Sequence, residues 1–285
     1  MNILTFDIED WYNCDFISRD FEWDKWEYRV DKTLIPLLDE LDRRRLKGTF
    51  FCLGWLADHH PDIIHEIARR GHQLGCHSYQ HELTFRFTLD EFIADTLRAK
   101  QLIEDAAGVK VEAFRAPGFS IMKDNTWALE AVADMGFRYD CSMFPAHHDY
   151  GGMPSYGKGE PKLIRLSDGR TIKEFPINIH YLHNKPLLFY GGGFFRFFPY
   201  WLIHRWASQT NYMMTYFHPR DFDTGQPVVK GLPLQRRFKS YVGISGAMKK
   251  WKRLLDDFSF CNVEQADQQI DWNQAGTIDI EKLKA

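Results

Sequence analysis

Leu4-Thr5-Phe6-Asp7-Ile8-Glu9-Asp10 begins as an apolar run and ends abruptly in carboxylates. A buried strand that leaves a barrel or sheet and delivers acids to its mouth has this form. Further along, Gly75-Cys76-His77-Ser78-Tyr79-Gln80-His81 places two imidazoles four positions apart. On one helical turn or in a tight loop, that spacing aims both rings at one cation. Two neutral imidazoles plus a carboxylate, with positions left for water, form the ligand set of a catalytic rather than a structural zinc-class site. Alone, either string is ordinary, since strands often end in solvated acids and surface histidines often fall four apart. Together they read as an enzyme.

Outward from these strings, strands and helices alternate. Lys32 to Arg45 has helical spacing through Leu34, Leu37, Leu38 and Leu41, and Lys47 to Leu53 reads as a strand. Pro61 to Arg70 carries proline near its start and Gly71 just past its end, the asymmetry of a helix. Gln73 to Cys76 is a short strand leading to the histidines. Thr88 and Glu91 make a capping box for a helix that runs to about Ala106 and stops at Gly108. Phe114 ends another strand, and Asn125 to Met135 is helical. The alternation implies an α/β fold with a parallel sheet and right-handed crossovers, closed as a barrel or open and doubly wound. In both, the acids and histidines fall at strand carboxy-terminal ends, where such folds place ligands.

Two further strand exits carry chemistry. Phe114-Arg115-Ala116-Pro117-Gly118-Phe119 offers a guanidinium able to hold a carboxylate ionised and aimed. Met213-Met214-Thr215-Tyr216-Phe217-His218-Pro219 ends in an imidazole suited to protonating a leaving amine. From Tyr150 to Gly193 the chain is irregular and rich in Gly, Pro and aromatics. Tyr156, Tyr181, Tyr190, Phe194, Phe195, Phe197 and Phe198 could stack on sugar rings, but packing is the ordinary use of such residues. Trp11 and Tyr12, directly after the acids, are better placed for substrate contact. Phe198 to Ser208 reads as a helix, Ser245 to Phe258 as an amphipathic helix on the exterior, and polar Asp271 to Ala285 as a tail expected to fray.

Thr5-Phe6-Asp7, His77-Ser78-Tyr79-Gln80-His81, Arg115-Ala116-Pro117 and Tyr216-Phe217-His218 resemble, in order and spacing, the motifs of the NodB-type polysaccharide deacetylases, carbohydrate esterase family four. The resemblance covers residues 1 to about 220. Gly191-Gly192-Gly193-Phe194-Phe195-Arg196, Phe217 to Asp223 and Gln235-Arg236-Arg237-Phe238 look like a branch with a carboxy-terminal extension, associated with bacterial exopolysaccharide synthesis. The resemblance implies an irregular (β/α) barrel of about seven strands over residues 1–223, a helical extension over 224–270 and a tail over 271–285. It also implies Asp7 as general base, Arg115 as its positioner and His218 as general acid. One divalent ion, zinc or else cobalt, manganese, nickel or iron, would sit on His77, His81 and a carboxylate. Pro117 and Gly118, with a backbone N–H near Gly118, would line the oxyanion side.

The first motif departs from the family's adjacent aspartates, because Ile8 intervenes and both Glu9 and Asp10 follow. An acid-x-acid reading favours Glu9 as ligand, and the family's use of aspartate favours Asp10. Sliding the motif would make Glu9 the base and Asp10 the ligand. No aspartate lies between Ile177 and Gln209 to pair with the late histidine, which leaves Asp140 as a substitute in space. The implied reaction is removal of N-acetyl groups from amino sugars of a bacterial glycan or precursor. Opening of small cyclic amides, as by allantoinase-like relatives, and non-catalytic carbohydrate binding are the alternatives.

Composition fits this reading. A formal net charge of −3 over 285 residues gives no broad electrostatic case for nucleic acid. No apolar run is long enough to cross a bilayer. Five cysteines, Cys14, Cys52, Cys76, Cys141 and Cys261, are scattered without Cys-x-x-Cys spacing, which suits free thiols in a reducing compartment. With no secretion-type apolar segment at the start, the expected location is cytoplasmic.

Overall fold

The computed structural model describes residues 1–13, 17, 20–183 and 185–284, with the side chains of residues 182 and 185 left aside. The first strand is broken at Leu4 into β1 (Asn2–Ile3) and β2 (Thr5–Ile8). Then follow α1 (Val30–Arg44), β3 (Thr49–Cys52), α2 (Gly54–His59), α3 (Pro61–Arg69), β4 (Gln73–Cys76), α4 (Leu89–Ala107), β5 (Ala113–Phe114), α5 (Trp127–Asp134) and β6 (Tyr139–Asp140). The helix starting after Thr88 has the capping box read from sequence, and Gly108 ends it in the left-handed conformation.

The stretch Tyr150 to Gly193, read as irregular, holds β7 (Lys162–Arg165), β8 (Thr171–Glu174), the hairpin β9 (His180–Leu182) and β10 (Lys185–Leu187) and the start of α6 (Gly192–Phe197); α7 (Tyr200–Ala207) and β11 (Met213–Met214) follow where a helix and a strand were expected. It ends with α8 (Leu234–Tyr241), α9 (Ile244–Asp257), α10 (Val263–Asp267), β12 (Thr277–Asp279) and α11 (Ile280–Leu283). The tail expected to fray is instead ordered. Its β12 runs parallel to β7 in the register Ile278↔Ile164, and Ile280 and Leu283 are buried. Alternate apolar side chains in an otherwise polar stretch suffice for an edge strand.

The main sheet has the order β12-β7-β8-β6-β5-β4-β3-β2, parallel except for the antiparallel pair β7/β8. On the other side of the first strand, β1 pairs with β11, and the bridge Phe6↔Phe217 extends that contact. Strands β11, β2, β3, β4, β5, β6 and β8 therefore curl as an irregular α/β barrel. The seam between β8 and β11 is crossed by side chains, Tyr212 Oη to Pro176 O at 2.8 Å and Asn178 Oδ1 accepting from Met214 N at 2.9 Å, rather than by a ladder.

The two-residue period of the strands sorts their side chains. Phe6, Ile8 and Phe50 face the outer layer between sheet and helices, where Phe6 stacks on Phe50 at 4.8 Å and meets the edge of Trp251 from α9. That docking of α9 on the exterior is as expected from its amphipathic pattern. Phe51, Ala113, Tyr139, Phe175 and Met214 fill the interior. Thr5 and Asp7 share the inward face of β2 and thus reach the barrel mouth. At Gly75 a Cβ would lie 2.5 Å from the Phe51 ring, so only glycine lets β4 pass that ring on its way to His77.

Candidate active site

Asp7 stands at the end of β2 and accepts a 2.6 Å hydrogen bond from Arg115 Nη1. Arg115 is fully buried and is held in turn by Thr5 Oγ1, the Cys141 carbonyl and the Phe51 ring face, whose centroid lies 4.1 Å away. Burial alone would raise the Asp7 pKa, but Arg115, with His77 and His218, outweighs it and holds the carboxyl below its ordinary value. A buried acid kept ionised beside a cavity is equipped to take a proton.

Just beyond, Glu9, His77 and His81 each present a ligand atom, all within 4.8 Å of one another. His77 leaves the end of β4, and its Nδ1 is 2.7 Å from the Arg115 carbonyl, which frees Nε2 for the cavity. Burial pushes the His77 pKa down to about 4, so the ring is neutral near pH 7 and ready to ligate. His81 returns by a tight loop rather than a helical turn. Ser78 and His81 both adopt left-handed φ, 64° and 57°, and Ser78 Oγ accepts from His81 N at 3.0 Å. Glu9 is 2 % exposed and its Oε2, 3.0 Å from His81 Nε2, has no hydrogen bond among the described residues. An orphaned buried carboxylate oxygen facing two imidazoles is the donor set a divalent cation would complete.

Asp10 does not join this cluster. Its carboxylate accepts from the backbone N–H groups of Arg29 at 2.5 Å and Val30 at 3.1 Å, at the positive end of α1, and from Trp11 N at 2.7 Å. Burial outweighs those bonds and raises its pKa to about 6. Trp11 and Tyr12 likewise turn away from the cavity. They are 3 % and 0 % exposed, with Trp11 edge-on to Trp26 and Tyr12 edge-on to Trp55, so their aromatic surface belongs to packing. Pro117 is buried behind the loop, whereas Gly118, at φ 60°, does line the cavity. A Cβ there would come within 3.0 Å of Tyr150.

His218 follows β11, with Nε2 3.5 Å from Glu9 Oε1 and 3.9 Å from Asp7 Oδ2. Its Nδ1 is 3.1 Å from Asp221 Oδ2, and the same oxygen accepts from His218 N at 3.0 Å. Asp140, the substitute partner considered from sequence, is not the one. It sits at the end of β6, bonded to Ser142 Oγ at 2.6 Å, and burial raises its pKa. The partner missed in the sequence is Asp221, three positions after the histidine, where an acid at capping-box spacing was the available signal. Burial by itself would lower the His218 pKa, but Asp221 and Glu9 reverse the effect and raise it. Asp221 Oδ1 lies 3.2 Å from Arg196 Nε, in a Gly-Gly-Gly-Phe-Phe-Arg segment noted earlier without a role. The ends of Arg196 also donate to the carbonyls of Lys239, Ser240 and Val242, tying the end of α8 to the site.

These groups border one cavity of about 280 Å³. Its outer wall is formed by Phe119, Tyr150, Phe194, Tyr216, Arg236 and Lys239. Of the aromatic belt considered for sugar stacking, only Phe194 borders this cavity, and Tyr156, Tyr190 and Phe195 are core.

Residues 20–139 match the family model described as polysaccharide deacetylase, and residues 141–268 match a domain of unknown function, DUF3473. Over 95 residues the chain is 32 % identical to a peptidoglycan-N-acetylglucosamine deacetylase of Bacillus cereus, a match covering 33 % of this chain and 34 % of that protein. Over 117 residues it is 27 % identical to chitin deacetylase 1 of Cryptococcus neoformans, covering 38 % and 25 %. The matches thus span about a third or less of these relatives' own length. Among solved structures, the fold is shared with a Mycobacterium smegmatis protein assigned as a polysaccharide deacetylase, at TM-score 0.62 and 20 % identity over 95 % of this chain and 90 % of that one. It is also shared with a mutant of a Bacillus anthracis CE4-family pseudoenzyme with restored activity, at TM-score 0.51 and 14 % identity over 98 % and 69 %. The chain thus carries a polysaccharide deacetylase domain of the NodB type, continued directly by a DUF3473 domain.

Proposed function

We propose that this site removes the N-acetyl group from an amino sugar of a bacterial glycan or glycan precursor, with one divalent cation, zinc in the first instance, on Glu9, His77 and His81. The observation that carries the reading is the convergence of two acid-base units, Asp7–Arg115 and His218–Asp221, beside that ligand cluster, with His218 Nε2 3.9 Å from Asp7 Oδ2. A cation there would polarise the acetamide carbonyl and acidify a water. Asp7, kept ionised by Arg115, takes the proton of the attacking water through Oδ2. His218 Nε2 gives a proton to the departing amine, while Asp221 holds Nδ1 and supports the imidazolium. The balance is one acetate and one free amine per water.

A non-catalytic carbohydrate-binding role would not require all five of Asp7, His77, His81, Arg115 and His218. Action on an exopolysaccharide or surface glycan is supported by the branch motifs Gly191 to Arg196 and Phe217 to Asp223. Action in the cytosol is supported by the free thiols of Cys52, Cys76, Cys141 and Cys261, while Cys14 lies outside the described residues. Acetate release from N-acetylated oligosaccharides, abolished by a chelator and restored by zinc, is the expected result. Ring opening of small cyclic amides without acetate release would overturn the reading.

A further inference from the structure

Helix α8 is inside out. Leu234 and Phe238, one turn apart, are 84 % and 46 % exposed, and no residue of the helix is buried. Its Arg236, Lys239 and Ser240 face inward and border the cavity. A surface helix ordinarily does the reverse, because solvating a cation is cheaper than holding it over a pocket. Arg196 fixes this orientation by donating to three carbonyls at the helix's end.

The charges bordering the cavity divide by depth. The acids lie at the base and are engaged there: Asp7 with Arg115, Asp221 with His218 and Arg196, and Glu9 with the histidine pair. The outer wall carries Arg236 and Lys239, and Arg220 stands between wall and base with its Nε 3.5 Å from Glu9 Oε1. Asp149 answers the first two, at 3.9 Å from Arg236 Nη2 and 3.6 Å from Lys239 Nζ, with its side chain 59 % exposed. One half-solvated carboxylate shared between two cations at those lengths is a weak ion pair that a ligand's acid group can replace. The neutral ring and acetamide of an N-acetylhexosamine call for aromatic surface and hydrogen bonds, which Phe119, Tyr150 and Tyr216 already provide, and not for a cationic wall.

We propose that the substrate is an acidic glycan, and that a carboxylate on a sugar next to the reacting residue binds between Arg236 and Lys239, with Arg220 on the inner side. This rests on the deacetylase reading and adds the charge class of the substrate. Two probes test it: N-acetylglucosamine tetramer, and the same tetramer oxidised at C6 to the uronate. Binding of each to the zinc-loaded protein is measured by calorimetry, and acetate release is followed in parallel.

The uronate tetramer is expected to bind about tenfold more tightly at low salt, with the preference shrinking toward one at ~0.5 M salt. The double variant Arg236→Gln/Lys239→Gln should lose the preference. The control Lys249→Gln/Lys282→Gln, with the same charge change on exposed positions elsewhere, should keep it. Equal binding of the two tetramers, or a preference that survives in the Arg236/Lys239 variant, overturns the proposal. A binding preference without acetate release from either probe leaves the acidic-ligand site standing and sinks the deacetylase reading instead.

Discussion

Two buried arginine–carboxylate pairs flank the cavity, and they are built differently. Asp7 and Arg115 lie at the ends of β2 and β5, inside the parallel ladder, so the sheet register alone brings them to 2.6 Å. Asp221 and Arg196 belong to a loop after β11 and to the short α6, and Arg196 uses most of its donors on the carbonyls of residues 239, 240 and 242. The electrostatics are shared, since in each case burial would raise the acid's pKa and the guanidinium reverses it. The architecture differs. Arg115 spends its other donors inside the barrel, on Thr5 Oγ1 and the Cys141 carbonyl, whereas Arg196 spends them on the end of α8 and so holds a wall of the pocket. The first pair spans the chain's start and the deacetylase match, while the second lies wholly within DUF3473. The second domain is therefore part of the site and not an appendage.

The largest test of the comparison separates its two sides at the reaction. Asp7→Asn should lower acetate release by about a hundredfold or more while retaining bound metal. His77→Ala should lose the metal itself, as read by elemental analysis of the purified protein. If Asp7→Asn kept normal turnover, the ladder-built pair would not be the base, and the Asp221 side would have to supply it.

Next in size are the arginines. Arg115→Met leaves a buried carboxylate without its counter-charge, a loss of about 3–5 kcal/mol in chemical unfolding. Arg196→Met should cost a similar amount and, unlike Arg115→Met, should raise hydrogen exchange across residues 234–242, where its carbonyl contacts are lost. Arg196→Lys keeps the charge but not the fork, and should lower turnover about 10–100-fold by letting Asp221 and His218 drift. Equal exchange behaviour in both methionine variants would erase the architectural distinction.

The same contrast explains what could be read from the sequence. Strand periodicity and the acids, histidines and Arg115 at strand ends are local patterns, and the sheet converts them directly into proximity. Glu9 and Asp10 could not be separated because the choice depends on where the remote amino end of α1 sits, a tertiary fact. Trp11 and Tyr12 were misjudged because nearness to the acids in sequence says nothing about which way a side chain turns once the strand has ended. Asp221 and Arg196 escaped because a loop and a six-residue helix leave no period to follow.

Because both pairs keep their acids below the ordinary carboxylate range, their contribution to stability is present above about pH 4 and lost only below it. Acid weakening above pH 4 has another source in His72. This ring is 5 % exposed, accepts from Gly48 N at 3.3 Å, and has its pKa pushed by burial to about 4 from 6.5. The folded state binds fewer protons than the unfolded one in that interval. The stability is thus complete above about pH 6.5 and falls by about 3 kcal/mol on the way to pH 4. The wild type minus His72→Asn difference in unfolding free energy should show this slope. A flat difference would leave the acid weakening to the other buried imidazole, His77, whose pKa burial also pushes to about 4.

The smallest effect concerns the neighbours Glu9 and Asp10. Asp10→Asn removes acceptor capacity from the N–H groups of Arg29, Val30 and Trp11, a capping loss of about 1 kcal/mol. It should leave metal content unchanged, because that carboxylate faces α1 and not the histidines. Glu9→Gln removes a buried charge that faces His81 at 3.0 Å and Arg220 at 3.5 Å and is held below its ordinary pKa, so it should lower the stability of the metal-free protein and also weaken metal retention. The inverse outcome, metal lost with Asp10→Asn and kept with Glu9→Gln, would mean that the strand end turns its acids the other way. The base at Asp7 would then need reassignment, while the Asp221 side would stand untouched.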